Sequence, residues 1–241
     1  MKKKPIFGDK NHKNWTKLVE KLSTTIENYL SLMYVLERDT EPVVGVRLAE
    51  LLNVTPPTVT NTLKRMVRDG LITMDKNGTR LTRSGKQSAR TVLRRHMLTE
   101  WMMARILPWS KLHEEAHSLE HAISSEVENA LFKELGNPQT CPHGNPLPGC
   151  EDAVSSWLPL TEVSPDQVVI IKRIHELAEY NLELLAFLEE KGLMPGAEVT
   201  VQEVLPFNQT IGVRVQGKIV TLGFASAQYV FVEPRTENQS S

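Results

Sequence analysis

The stretch from Val46 to Leu71 constrains this chain more tightly than any other. Val46, Leu48, Ala49 and Leu52 give a short amphipathic helix over Gly45 to Leu52, and Asn53 to Pro57 reads as a turn. Pro56 to Asp69 then carries Val59, Leu63 and Met66 at i, i+4 and i+7, the inward stripe of a second helix. Thr55 stands at its N-cap, and proline is tolerated in a first helical turn because the amides there lack intrahelical partners. Gly70 stops the helix, while Thr58, Thr60, Asn61, Lys64 and Arg65 point away from the stripe. A short helix, a tight turn and a second helix rich in small polar residues is the layout that sets a recognition helix into a DNA major groove. Leu71 to Asp75, a turn at Lys76, Asn77 and Gly78, and Thr79 to Thr82 add a β-hairpin, the wing of a winged helix-turn-helix, with Arg80 placed for phosphate. Upstream, Thr24 and Thr25 precede Ile26, Tyr29, Leu30, Met33, Tyr34 and Leu36, a first helix ending near Asp39.

With 241 residues the chain can build one to three domains with a real core. No apolar run approaches the roughly 20 residues that cross a bilayer, and the Lys-rich start runs into polar sequence, so a cytoplasmic protein without membrane contact is expected. Two cysteines, Cys141 and Cys150, are too few for a disulfide scaffold and leave a local redox or metal pair open. The net charge of −1 hides an uneven distribution. Lys64, Arg65, Arg68, Lys76, Arg80, Arg83, Lys86, Arg90, Arg94 and Arg95 face only Asp69 and Asp75 in the same stretch, a basic module fit for nucleic acid. Glu114 to Glu134 is acidic, and residues 1–22 read as a basic arm.

Two long helices are expected next, Ser84 to Ile106 and Ser110 to Leu135. His96 and Glu100, at i and i+4, project from one face of the first. On the second, His117, Glu120 and His121 stand at i, i+3 and i+4, with His113 one turn earlier. His113 and His121 would be roughly 12 Å apart along the axis, too far for one ion. The spacing therefore predicts two sites, one from His117, Glu120 and His121, the other from His113 with His96 and Glu100. Glu176 and Glu179 form a further acidic pair. Imidazole with carboxylate suits Mn, Fe, Co, Ni or Zn rather than Mg or Ca. A metalloenzyme is disfavoured, since no nucleophile motif is present and the candidate ligands come from widely separated positions with no evident substrate pocket. A winged-helix regulator answering to a small ligand or to redox at the two cysteines is the nearer alternative.

Asn137 to Pro165, rich in Pro and Gly, reads as connecting sequence, with 151–165 as the linker proper; Cys141, His143 and Cys150 leave an extra metal or disulfide site open, with an ordinary ordered turn the favoured reading. Beyond it come a strand at Gln167 to Ile174, a helix at Asn181 to Lys191 stopped by Gly192, and strands at Glu198 to Val204, Thr210 to Val215, Lys218 to Leu222 and Tyr229 to Val232, a small barrel. The expected fold is mainly α with a small β module: residues 23–90 a winged helix-turn-helix, 91–150 a helical domain and 166–235 a β domain.

Several strings carry a family resemblance: Thr25 to Leu30, the helix-turn-helix from Leu48 to Leu71, Arg94 to Glu100, His113 to His121, and the His143 to Gly149 turn. From about Thr24 to about Pro234 the sequence resembles the diphtheria-toxin-repressor family of metal-dependent transcription regulators. That resemblance implies a homodimer on a palindromic operator, a helical dimerization domain, an SH3-like C-terminal domain and two divalent ions per subunit, Mn or Fe favoured and Zn or Co also suited. It assigns a primary site to Asn28, His117, Glu120 and His121, and an ancillary site to His96, Glu100, His113, Glu176 and Glu179. Asn28 and His117 depart from the family pattern, which has methionine and cysteine there in iron-type members and acidic residues in manganese-type members. It places Thr55, Pro57, Thr58, Thr60 and Asn61 near bases or backbone, with Arg80 and nearby basic residues such as Lys64 on phosphate, and usually has glutamine at the position of Asn61. An ion bridging Asn28 to the helical domain would set the spacing of two recognition helices.

Overall fold

The computed structural model describes residues 22–39, 43–76 and 78–235. The expected basic arm, apart from Leu22, and Asn77 of the hairpin turn lie outside these. Two compact units meet between Val92 and Leu93, within one continuous helix.

The first unit opens with α1 (Thr24–Arg38), whose Ile26, Tyr29, Leu30, Met33 and Leu36 are buried. Next come α2 (Gly45–Leu51), α3 (Pro56–Arg68), and an antiparallel hairpin of β1 (Ile72–Asp75) and β2 (Gly78–Leu81). Val59, Leu63 and Met66 of α3 are buried, as their spacing predicts. The left-handed backbone at Asn53 turns the chain between α2 and α3. Thr55 occupies the N-cap of α3, but its hydroxyl caps no amide and pairs with the Thr58 hydroxyl at 2.9 Å. Proline at the second helical position removes one of the two amides that such a cap serves. The wing is held at its base: Glu37 of α1 accepts from Leu81 N at 2.5 Å and pairs with Lys86 at 3.1 Å. Gly85 lets the following helix pass so close to Leu71 that a Cβ would collide with its carbonyl oxygen.

That helix, α4 (Arg83–Met103), crosses the boundary. In the second unit the expected single helix from Ser110 to Leu135 is broken. A 3-10 turn at Trp109–Lys111 leads into α5 (Leu112–Leu119), a second 3-10 turn covers Glu120–Ala122, and α6 (Ser125–Glu134) starts afresh. The cause is local: Ile123 is extended and the Ser124 hydroxyl accepts from Val127 N, the N-cap of a new helix. Apolar periodicity carries through such a break, so periodicity alone does not reveal it. Arg95 and Arg94 of α4 hold Glu128 of α6 at 3.1 and 2.5 Å, which removes both arginines from the free basic module.

The remaining chain folds as β3 (Leu158–Pro159), β4 (Val168–Ile174), α7 (Glu176–Glu179), α8 (Leu182–Lys191), β5 (Glu198–Leu205), β6 (Thr210–Val215), β7 (Lys218–Gly223), α9 (Phe224–Ala227) and β8 (Val230–Pro234). Its strands form one antiparallel sheet in the order β3-β8-β4-β5-β6-β7. Val169, Ile171, Val199, Val201, Ile211, Val213 and Val232 alternate into its core, closed by Leu185 and Leu188 of α8. The expected linker is tied down here, since Leu158 pairs with Val232 and Leu160 is fully buried in that core. The helical segment and the β module belong to the same compact unit.

Candidate functional site

Four donor atoms from three elements converge inside the second unit. His96 and Glu100 come from one face of α4, His113 from the first turn of α5, and Glu179 from the end of α7. His96 Nε2 lies 3.0 Å from His113 Nδ1 and 3.4 Å from Glu100 Oε1, and His113 Nδ1 lies 2.7 Å from Glu179 Oε2. Glu100 is wholly buried, yet neither carboxylate oxygen makes a hydrogen bond to a described residue. Donors bonded to one transition ion at about 2.0 to 2.2 Å stand roughly 3.0 to 3.5 Å apart. Neighbouring donors here stand 2.7 to 3.8 Å apart and all four lie within 4.8 Å of one another, close to that separation, and an orphaned buried carboxylate is a group that a cation would satisfy.

Several outer partners orient these ligands. Glu120 Oε2 accepts from His96 Nδ1 at 2.6 Å, which leaves Nε2 directed at Glu100 and His113, its lone pair available once the ring is deprotonated. Glu189 of α8 accepts from Trp109 N, Ser110 N and the Ser110 hydroxyl at 2.8, 3.2 and 2.5 Å, which anchors the approach to α5. Burial opposes charge on His96 and Glu100. For His96 that downward pull is outweighed by Glu100 and then Glu120, which hold its pKa well above the ordinary value. Burial likewise acts to raise Glu100, but the charges of His143 and His96 bring it far below the carboxylate range.

His143 is the residue that spacing did not point to. The turn before the β module brings it in: Gly144, at φ +88°, packs so tightly on β4 that a Cβ would strike the Lys172 carbonyl and Arg173 Cα. Ile174 N donates to His143 O at 2.8 Å, and Asn145 Nδ2 donates to Ile174 O at 2.8 Å and to Glu179 Oε1 at 2.5 Å. The Trp101 and Trp109 indoles fasten the turn from the other side, donating to Thr140 O and Pro142 O at 2.7 and 3.1 Å. His143 Nε2 donates to Trp109 O at 3.2 Å, so Nδ1 faces Glu100 Oε1 at 3.1 Å and Glu179 Oε1 at 3.5 Å. Cys141 joins these three, so a second set, Glu100, Cys141, His143 and Glu179, offers four donors within 4.8 Å of one another. Both cysteines are free thiols, and burial followed by the Glu100 and Glu179 charges pushes the Cys141 thiol well up. A string of the type Cys-Pro-His on a turn is the signal from which both residues were legible.

Glu176 is not gathered with His96 and His113. Its carboxylate takes Arg173 Nη2 at 2.8 Å. Glu120 instead carries a further group: His117 Nδ1 at 3.4 Å and His121 Nε2 at 3.2 Å from its Oε1, with His96 on its other oxygen. His121 reaches Glu120 from the 3-10 turn rather than from a continuous α-helical face. Burial acts to raise Glu120, but bonds from His117 and His96 bring it down to about 2. Asn28 sits half-buried on α1 in the first unit. On α3, Thr55, Pro57, Thr58, Thr60, Asn61 and Lys64 are all exposed, as is Arg80 on the wing. The Thr60 hydroxyl is turned back to Pro56 O at 3.0 Å.

A winged helix-turn-helix in one unit and a buried imidazole and carboxylate centre in the other define a class, winged-helix proteins that hold a transition-metal ion. The comparisons with known proteins narrow it. Residues 21–79 match the iron dependent repressor N-terminal DNA-binding domain, 82–149 its metal binding and dimerisation domain, and 158–234 the FeoA domain. The chain is 35% identical over 226 residues to the iron-dependent repressor IdeR of Mycobacterium leprae, covering 88% of this chain and 98% of that protein. It is 31% identical over 223 residues to the diphtheria toxin repressor of Corynebacterium jeikeium, covering 80% and 92%. Among solved structures, a manganese-dependent transcriptional repressor in complex with manganese aligns at TM-score 0.77 and 26% identity over 87% of this chain and all of that one. ScaR with bound Zn2+ aligns at 0.73 and 28%, over 87% and 99%. The chain belongs to the iron-dependent, or diphtheria toxin, repressor family.

Proposed function

We propose that this protein is a metal-activated DNA-binding repressor of metal-uptake genes, acting in the cytoplasm as a homodimer on a palindromic operator. The observation that carries the reading is the buried, unbonded carboxylate of Glu100 beside the imidazoles of His96 and His143, whose far nitrogens are already committed. Glu100, Glu179, His96 and His113 hold one ion, and His117, Glu120 and His121 hold a second with the amide oxygen of Asn28. A bound divalent ion supplies positive charge that neutralises the carboxylates without the protons they otherwise recruit. His96, bonded to Glu120 through one nitrogen and directed at Glu100 through the other, positions residues of both sets. Asn28 belongs to the DNA-binding unit and His121 to the other, so ligation by both restricts their relative motion and favours one spacing of paired recognition helices. Thr55, Pro57, Thr58, Thr60 and Asn61 meet bases or backbone while Lys64 and Arg80 meet phosphate. Manganese or iron is the favoured ion, and zinc or cobalt suits the same donors.

Fluorescence anisotropy of a labelled duplex from upstream of the gene tests this, first in chelator and then with Mn, Fe, Co or Zn in turn. Binding that appears only with metal, and is lost in His121→Ala, is expected. Equal affinity in chelator, or an unchanged metal response in His121→Ala, refutes the switch or the site assignment respectively.

A further inference from the structure

One ion bonded at about 2.0 to 2.3 Å to every donor needs all donors within roughly 4.6 Å of each other, twice the bond length. The six donors around Glu100 and Glu179 fall into two sets whose members lie within 4.8 Å of one another, close to that limit, and both carboxylates belong to both sets. The carboxylate of Glu179 faces two ways: Oε2 lies 2.7 Å from His113 Nδ1, while Oε1 lies 3.5 Å from His143 Nδ1. Glu100 Oε1 stands between them, 3.4 Å from His96 Nε2 and 3.1 Å from His143 Nδ1. A carboxylate whose two oxygens serve different imidazole clusters is placed as a bridge. We propose that Glu100 and Glu179 bridge two divalent ions in one buried centre, with His96 and His113 completing one position and Cys141 and His143 the other.

The donor set fits two ions better than one. A single divalent ion is already neutralised by the two carboxylates, which leaves the second imidazole and the thiol without a role. A second ion recruits the Cys141 thiolate, giving three negative donors against two divalent ions, while His96 and His143 release their extra protons to solvent and bind as neutral rings on tautomers set by Glu120 and the Trp109 carbonyl. On ion binding the thiol proton leaves to solvent and a metal–sulfur bond replaces the S–H bond. The two positions then differ in softness. The nitrogen and oxygen end suits manganese or iron, and the thiolate end suits zinc, cobalt or ferrous iron. The proposal rests on the metal-binding reading above but not on its DNA switch.

Cobalt(II) chloride titrated into the full-length, chelator-stripped protein under argon with a non-thiol reductant tests it. Bound ions are counted by equilibrium dialysis, with ultraviolet absorption and EPR recorded alongside. Expected is one more ion per chain in the wild type than in either Cys141→Ala or His113→Ala, and a thiolate-to-cobalt absorption band lost only in Cys141→Ala. EPR intensity per cobalt should fall as the second position fills, because bridged ions couple. An equal count in wild type and Cys141→Ala overturns the proposal, since the two sets are then alternatives for one ion. Undiminished EPR intensity at full occupancy overturns the bridge. The wild-type spectra require no variant to fold. Metal-independent DNA binding in the anisotropy assay would sink the functional reading and leave the ion count standing.

Discussion

His143 shows what a single residue contributes that helical spacing hides. Burial acts to lower its pKa, but the charges of Glu179 and Glu100 outweigh it and raise it to about 9. A raised imidazole stabilises the metal-free fold fully below the unfolded value near 6.5 and loses that stabilisation as pH climbs through about 9. In chelator, the melting temperature of the wild type should therefore fall between about pH 6.5 and about 9 more than that of His143→Gln; parallel profiles would contradict the assignment. Its neighbour supplies a test of placement. A Cβ at Gly144 would meet the β4 backbone at a left-handed φ, so Gly144→Ala should cost at least about 1 kcal/mol and weaken metal binding as His143 shifts. Denaturant melts with and without metal measure both effects, and an unaltered midpoint would show that the turn can move away from β4.

Two helices illustrate why elements must be read with their partners. The exposed face of α3 should separate into contacts of two kinds. Lys64→Ala is expected to weaken all duplexes alike and reduce the salt slope by about 1, whereas Asn61→Ala should shift preference at one base pair by about 1 to 3 kcal/mol. Anisotropy titrations over a salt series and a set of single-base operator variants distinguish them; a base-specific effect at Lys64 would reverse the roles. On α4, Arg95 looks like one more cation of a basic run, yet it is buried on Glu128. Arg95→Ala should cost about 3 kcal/mol by leaving that carboxylate buried with fewer partners, and should leave the salt slope of DNA binding untouched. The break between α5 and α6 belongs to the same lesson. The N-cap at Ser124 was readable as a serine before Glu126 and Val127, but the apolar stripe ran on past it.

For the whole molecule, metal that binds only the folded chain must raise its stability in proportion to ligand excess. At about 100 times the dissociation constant, one site adds about 2.7 kcal/mol. Scanning calorimetry with manganese or zinc should move the transition upward in wild type and far less in Glu100→Gln, which keeps the shape and removes the charge. An equal shift in both would place the stabilising ion elsewhere.

Periodicity, turn residues and local charge were enough to establish the winged helix-turn-helix, the helical middle and the strands of the β module, because the pattern of each element is local, although β8 joins β3 and β4 from far along the chain. The same reasoning found His96 with Glu100 and His113 with His117, Glu120 and His121, whose spacings are set by one turn of helix. It could not rank Glu179 over Glu176, because only the packing of α7 on the rest of the unit directs one carboxylate to His113 and the other to Arg173. Nor could it bring Cys141 and His143 to Glu100, some forty residues away along the chain, without the glycine contact on β4 and the two indoles that hold the turn. The sequence by itself determined the kind of protein and the donor chemistry; tertiary structure decided which donors share an ion, since coordination depends on distances of a few ångströms that only long-range packing sets.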